Sequence, residues 1–211
     1  MTPNRLSFSA IKRPAFGSAK QHLDAPPARP RATTKADARY ARAAKTASEL
    51  LPELPLPGEA VHALMVGGYN LCQVLTATCD LLPKLRHVRI ATLCFNKRNV
   101  ADLAALIETR KIVLTLLVSR FFRNHNKDGY EQSKATLEAF PNVTLAYAKN
   151  HAKVVCFDFG QRDALVFEGS ANLRANDSLE QLCVIRDRGL HDFHAAWIDE
   201  LVRADHAPRE G

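Results

Sequence analysis

No run of about 18 apolar residues occurs in the chain, so nothing in it reads as a transmembrane helix. Its start, MTPNRLSFSAIKRPAF, lacks the apolar core of a secretory signal. No CxxC pair is present either. The five cysteines fall at 72, 79, 94, 156 and 183, an odd number without metal-site or redox spacing. That argues against a disulfide framework and for reduced thiols in a cytoplasm. There is no internal repeat, so any site is encoded once per chain. Acidic residues are scarce in the first fifty positions, with three against ten Lys or Arg (Arg5, Lys12, Arg13, Lys20, Arg29, Arg31, Lys35, Arg39, Arg42 and Lys45). The remainder holds 19 basic residues (29 less ten) and 19 acidic ones (22 less three), so the formal charge of +7 belongs to the arm. A basic arm favours polyanionic partners such as nucleic acid, because each phosphate it neutralises releases counterions. A solvated tail and an organellar transit peptide are the other readings, since residues 1–22 carry no acid.

What is present is enough for one ordinary domain with an appendage: 211 residues, 46% of them hydrophobic. Residues 1–58 read as a basic Pro/Ala-rich arm, partly disordered, with DAPPARPRATTK as its clearest linker. Thr34-Lys35-Ala36-Asp37 has the form of a capping box and predicts one helix through ADARYARAAKTASELL, ended by LPELPLPG. Residues 59–211 read as one folded domain, the part of the chain expected to carry any catalytic site. There AVHALMVG, HVRIATLCF, KIVLTLLVS and VTLAYAK read as strands, with helical spacing between them in YNLCQVLTATCDLL, NKRNVADLAALIETR and YEQSKATLEAF. KIVLTLLVS is near-continuously apolar and β-branched, which predicts a strand buried on both faces. Two further strands joined by GQRD, then EQLCVIRD and a closing helix HDFHAAWIDELVRA, complete the chain. Alternating strands and helices followed by adjacent strands define an α/β sandwich with a mixed β-sheet flanked by helices.

The polar residues with chemical content lie in NHAKVVCFDFGQRDALVFEGSANL, 150–173. In a strand residues i and i+2 share a face, so His151 and Lys153 project together, as do Ser170 and Asn172. Gly169 allows the backbone close to a ligand. If the two strands are neighbours, one rim presents an imidazole, an ammonium, a hydroxyl and a carboxamide. That set suits a phosphodiester. Lysine supplies fixed charge, Ser and Asn donate to non-bridging oxygens, and histidine can attack phosphorus or protonate a leaving oxygen. Asp158 has the opposite parity and is expected to be structural.

His151-x-Lys153, Asp158 and Gly169-Ser170-x-Asn172 resemble the HxKx4D…GSxN signature of the phospholipase D superfamily. Glu180, at the head of EQLCVIRD, matches the glutamate that follows in that pattern. The resemblance covers residues 60–205 and points to the small bacterial single-motif endonuclease branch. It departs from the family in its longer spacer, FGQRDALVFE, which GQRD accounts for as a longer hairpin. The resemblance implies a phospholipase D-like α/β sandwich and a metal-independent phosphodiesterase, with no cofactor. It implies homodimers in which two copies of His151 face each other, one forming a phosphohistidine and the other protonating the leaving oxygen. Lys153, Ser170 and Asn172 would bind the phosphate, and Glu180 would orient a histidine and stabilise its cation.

Other features carry blander readings. EGSAN is not the GxSxG elbow of serine hydrolases. His191 and His194 are read as a surface helix face and not as metal ligands. Cys156 and Cys183 are expected to be small core hydrophobes. Gly67-Gly68-Tyr69-Asn70 is read either as cleft lining or as a simple strand-to-helix turn. Arg120, Phe121 and Arg123, in an aromatic and cationic stretch read as a loop rim, are candidate nucleic-acid contacts. The reading that results is an endonuclease acting on nucleic acid, DNA ahead of RNA, as a homodimer without stable membrane association. The alternatives are a phospholipase or phosphatidyl-transfer enzyme, and a nucleic-acid-binding module that does not cut.

Overall fold

The structure is a computed structural model and describes residues 38–44, 46–65, 69–174 and 178–207. The linker and the acid-free start of the arm, like Gly67 and Gly68, lie outside the described residues. Among the described residues eight strands form one sheet: β1 (Ala38–Ala44), β2 (Ala60–Met65), β3 (His87–Thr92), β4 (Val113–Ser119), β5 (Val143–Ala148), β6 (Val154–Asp158), β7 (Ala164–Gly169) and β8 (Glu180–Ile185). Their order across the sheet is β1-β2-β8-β7-β6-β3-β4-β5. β3, β4 and β5 run parallel, as do β1 and β2, while β2, β8, β7, β6 and β3 pair antiparallel in turn. The sheet is therefore mixed, as the order of elements predicts.

Alternation along the strands builds two cores. Val155, Phe157, Leu165 and Phe167 enter the larger one, beneath helices α2 (Leu71–Asp80), α3 (Lys97–Arg110) and α5 (Lys127–Leu137). Val154, Cys156 and Val166 face the other way, against the long helix α6 (Arg188–His206). β4 serves both layers, with Leu114, Leu116 and Val118 in the first and Leu117 in the second. That explains its unbroken apolar run. The remaining helices are short, α1 (Ala47–Leu50) and α4 (Arg120–His125). Reciprocal side-chain caps start α2 (Asn70 with Gln73) and α3 (Asn96 with Asn99), satisfying backbone N–H groups that have no partner inside the helix. Asn70 is thus a helix cap and Tyr69 is buried, which favours the turn reading over cleft lining.

Two expectations fail here. Where the sequence predicts a helix through ADARYARAAKTASELL, residues 38–44 form strand β1, paired parallel with β2, and the short α1 follows, while the capping box Thr34-Lys35-Ala36-Asp37 lies outside the described residues. Pairing at the sheet edge overrides the alanine-rich helical propensity, and the cap is Thr46, which accepts from the Glu49 N–H at 3.3 Å. Leu50 and Leu51 are buried in the larger core, so packed structure extends N-terminal of residue 59.

The second concerns His191 and His194, which are buried at 2% and 7% exposure and do not lie on a surface face. Trp197 Nε1–H donates to His194 Nδ1 at 3.0 Å, so the proton of the neutral ring sits on Nε2, which reaches Glu168 Oε1 at 2.7 Å. Helical spacing places these rings correctly. The packing of α6 across β3–β7 is what closes solvent off from them.

Candidate active site

The site is built at one end of the antiparallel strands. The register pairs Val154 with Glu168 and Asp158 with Ala164, leaving 159–163 as the hairpin loop. The long spacer is absorbed there. Asp163 is clamped by Arg186, whose guanidinium holds its carboxyl below the usual carboxylate range. Asp158 pairs with Arg188 at 2.9 Å, on the α6 side and away from the rim. The Gly169 N–H then donates to the Lys153 carbonyl at 3.3 Å, which sets the two polar signatures side by side.

His151 and Lys153 precede β6 rather than beginning it, and the chain is ordered there by Asn150. Asn150 Oδ1 accepts from the Ala152 N–H at 2.8 Å, and its Nδ2 donates to the Thr92 carbonyl at 3.3 Å. His151 is exposed and Lys153 half-buried. Lys153 Nζ reaches His151 Nδ1 at 3.0 Å and the His151 carbonyl at 2.8 Å. An ammonium has no lone pair, so Lys153 is the donor, and a neutral ring then carries its proton on Nε2. Burial lowers the Lys153 pKa. The nearby Glu180 carboxylate, and more weakly Cys94, act against that shift.

Ser170 Oγ donates to Glu180 Oε2 in a short hydrogen bond and accepts from the Gln181 N–H at 3.0 Å. Its hydroxyl hydrogen is thus directed to a carboxylate in this structure, which differs from the direct phosphate contact expected of it. Gly169 also differs from expectation. A Cβ there would collide with the Gln181 carbonyl, so the close approach is to β8 and not to a ligand. Asn172 Oδ1 accepts from the Leu93 N–H at 3.2 Å, with Thr92 Oγ1 at 3.4 Å. That fixes the carboxamide's orientation and leaves its Nδ2 end as the donor.

Thr92 is the residue that sequence reasoning missed. Wholly buried at the end of β3, it touches Asn172, Asn150, the Leu173 N–H and the Cys94 carbonyl. It ties together the segments bearing His151 and Asn172. A threonine ending a strand carries no signal of that role.

Of the three loop-rim candidates, Arg120 and Phe121 are exposed, Phe121 at 62%. Arg123 turns inward, over the Tyr147 ring at 5.0 Å and 3.7 Å from Glu131, so it is engaged in packing. The stretch is the helix α4 and not a loop, capped by Ser119 Oγ accepting the Phe122 N–H. Burial pushes the Cys156 thiol up to about 12 and Cys183 up to about 11, so neither supplies a thiolate nucleophile near neutral pH.

A mixed-sheet α/β protein with an imidazole, an ammonium and a carboxamide at one sheet end is equipped to bind an anion and move protons on it. The chain superposes on NucT from Helicobacter pylori with a TM-score of 0.50 and 21% identity, over 69% of this chain and 97% of that one. Phosphatidylserine synthase from Haemophilus influenzae Rd KW20 also gives 0.50, at 15% identity, over 72% of this chain and 40% of that one. Nuc from Salmonella typhimurium, a phospholipase D family member, gives 0.48 at 15% identity, over 66% and 93%. These likenesses show a shared fold, a mixed sheet flanked by helices. No family model matches the sequence, and a search of curated proteins finds no match.

Proposed function

We propose that the chain is a metal-independent phosphodiesterase, an endonuclease cleaving nucleic acid through a phosphohistidine in a site shared by two subunits. The observation that carries this reading is the grouping of the His151 ring, the Lys153 ammonium and the Asn172 carboxamide beside Glu180 at one sheet end. Lys153 and Asn172 Nδ2 neutralise and orient the non-bridging oxygens. One His151 attacks phosphorus, forming an N–P bond while the P–O bond to the leaving group breaks. A second His151, as the imidazolium with hydrogen on both ring nitrogens, gives its Nε2 proton to the leaving oxygen and is left neutral. Water, deprotonated by the second histidine, then releases the phosphate. In both copies Nδ1 then carries hydrogen, so each must exchange its contact with Lys153 for an acceptor, the part a carboxylate such as Glu180 can play.

One chain supplies one histidine, so the scheme requires a homodimer. Nucleic acid, DNA ahead of RNA, is favoured over lipid by the exposed Arg120 and Phe121. The basic arm, residues 1–58, would tether the same polyanion. Among the described residues no helix is long and apolar enough to cross a membrane.

The test is plasmid and oligonucleotide cleavage in excess EDTA by wild type and His151→Ala, with sedimentation at working concentration. Cleavage that survives chelation and is lost in the variant supports the reading. Binding without cleavage selects the non-cutting module, and hydrolysis of phosphatidyl vesicles without nicking selects the phospholipase. A strictly monomeric active species overturns the shared site.

A further inference from the structure

Beside the phosphate site lies a cavity of about 490 Å³ lined by Leu93, Cys94, Phe121, Phe122, His125, Asn126, Asn172 and Arg174. Its size falls in the range of sites that enclose a small ligand. Asn172 belongs to both places, and Cys94 lies near enough to Lys153 and Arg174 to feel both charges. Whatever fills the cavity is therefore continuous with whatever phosphate Lys153 holds.

Its walls have a definite chemistry. Phe122 is turned inward against Phe95, with ring centroids 4.9 Å apart, which locks α4 in rotation and forces its neighbour Phe121 outward. Phe121 stacks on His125, with centroids 4.0 Å apart and planes 30° apart. His125 Nδ1 lies 2.8 Å from the Phe121 carbonyl, which has only lone pairs to offer, so Nδ1 carries hydrogen and Nε2 of a neutral ring is left as an acceptor. Exposed Arg174 supplies a cation at the rim. The cavity thus combines a two-ring platform, a cation, two carboxamides and one acceptor nitrogen.

We propose that this cavity is a nucleobase subsite, holding the unpaired base of a nucleotide that adjoins the scissile phosphate, and that it makes the site selective for single-stranded nucleic acid. The inference rests on the phosphodiesterase reading for its phosphate and supplies what that reading lacks, a strand preference. Every base has a π-face that can lie on the Phe121–His125 pair, so stacking there is tolerant of sequence. A base within a duplex has both faces covered by its neighbours and reaches the cavity only after unpairing and unstacking. Beside the apolar Leu93 and Phe122, the cation and hydrogen-bonding groups of Arg174, His125, Asn126 and Asn172 suit the edge of a base and have no counterpart on an acyl chain.

The experiment uses the full-length chain with His151→Ala, so that bound oligonucleotide stays intact, and a single-stranded oligonucleotide carrying 2-aminopurine. Saturable quenching of the aminopurine is expected on binding, with about tenfold or more weaker binding of the annealed duplex. Adding Phe121→Ala should remove the quench, and Phe121→Trp should restore it. An abasic oligonucleotide of equal length should compete about tenfold or more less well. Quenching that persists in Phe121→Ala, an abasic strand that competes equally, equal binding of duplex, or no binding at all each overturns the subsite. Vesicles of phosphatidylglycerol that displace the oligonucleotide from the cavity would do the same. Cleavage by the chain with native His151 is scored separately. Cutting that ignores Phe121 sinks the subsite alone, and Phe121-dependent binding without cutting sinks the phosphodiesterase alone.

Discussion

Lys153 Nζ stands 3.0 Å from His151 Nδ1, with the Glu180 carboxylate near enough to stabilise the ammonium. Under the proposed phosphodiesterase reading, one charge would address both the phosphate and the histidine. Lys153→Met should cut kcat for oligonucleotide cleavage by roughly 10²–10³-fold, since it removes the cation that meets charge developing in the transition state. His151→Ala should lose more, on the order of 10³-fold or beyond. Initial rates in EDTA check both. A His151→Ala enzyme within tenfold of wild type would remove the histidine from the mechanism.

The same pair makes a statement about pH. Burial lowers the Lys153 pKa and Glu180 opposes that shift, so deleting the carboxylate must lower it further. The alkaline limb of kcat/KM, where Lys153 loses its proton, should move to lower pH in Glu180→Gln. Lys153→Arg should abolish that limb, because a guanidinium does not deprotonate in this range. An alkaline limb unmoved in Glu180→Gln would separate the two residues.

Gly169→Ala tests the close approach of β7 to β8. The new methyl meets the Gln181 carbonyl, and the strands must separate where Ser170 bridges Glu180 and Gln181. A loss of about 1–3 kcal/mol in urea unfolding is expected, together with reduced activity. Gly160→Ala, whose methyl would meet only ordinary contacts in the 159–163 loop, should change little and serves as the control.

His87 sets an acid limit on stability. Burial, aided by the Arg89 cation and opposed by Asp199 and Asp158, lowers its pKa from 6.5 to about 4, and Nε2 meets Thr115 Oγ1 at 2.9 Å. As pH falls below 6.5 the unfolded chain takes up a proton that the folded chain refuses until about pH 4. Stability should therefore fall as pH drops through that window, by up to about 3 kcal/mol. His87→Gln should flatten that slope in urea titrations. His191, lowered chiefly by burial, leaves a residual slope of the same sign.

Much of the fold could be read from the chain because its strands are apolar in ways that permit few alternatives. LTLLVS has no charged residue and is buried on both faces, its two hydroxyls included, and the run through VVCFD and ALVFEG alternates between two cores. The helices α2 and α3 begin at Asn caps with reciprocal partners three residues on, which is local chemistry. The error at residues 38–44 has a physical cause. Alanine-rich sequence carries helix propensity, but an edge strand takes its stability from hydrogen bonds to β2, a partner that begins sixteen or more residues further along. Propensity is local and pairing is not.

The site divides along the same line. The residue types at 151, 153, 170 and 172 could be read from the chain, but both pairs lie just outside β6 and β7, so strand alternation does not set where they project. Register, burial and competition for hydrogen bonds were decided only by the tertiary structure. It paired Val154 with Glu168 and so brought Gly169 to Lys153. It turned Ser170 to Glu180 and Arg123 to Tyr147, made Thr92 the hub beneath Asn172, and left Phe121 exposed against His125. Sequence determines which chemical groups are available and which face of a strand they take. Which of those groups remain uncommitted is set by the neighbours that reach them first, and those neighbours come from distant parts of the chain.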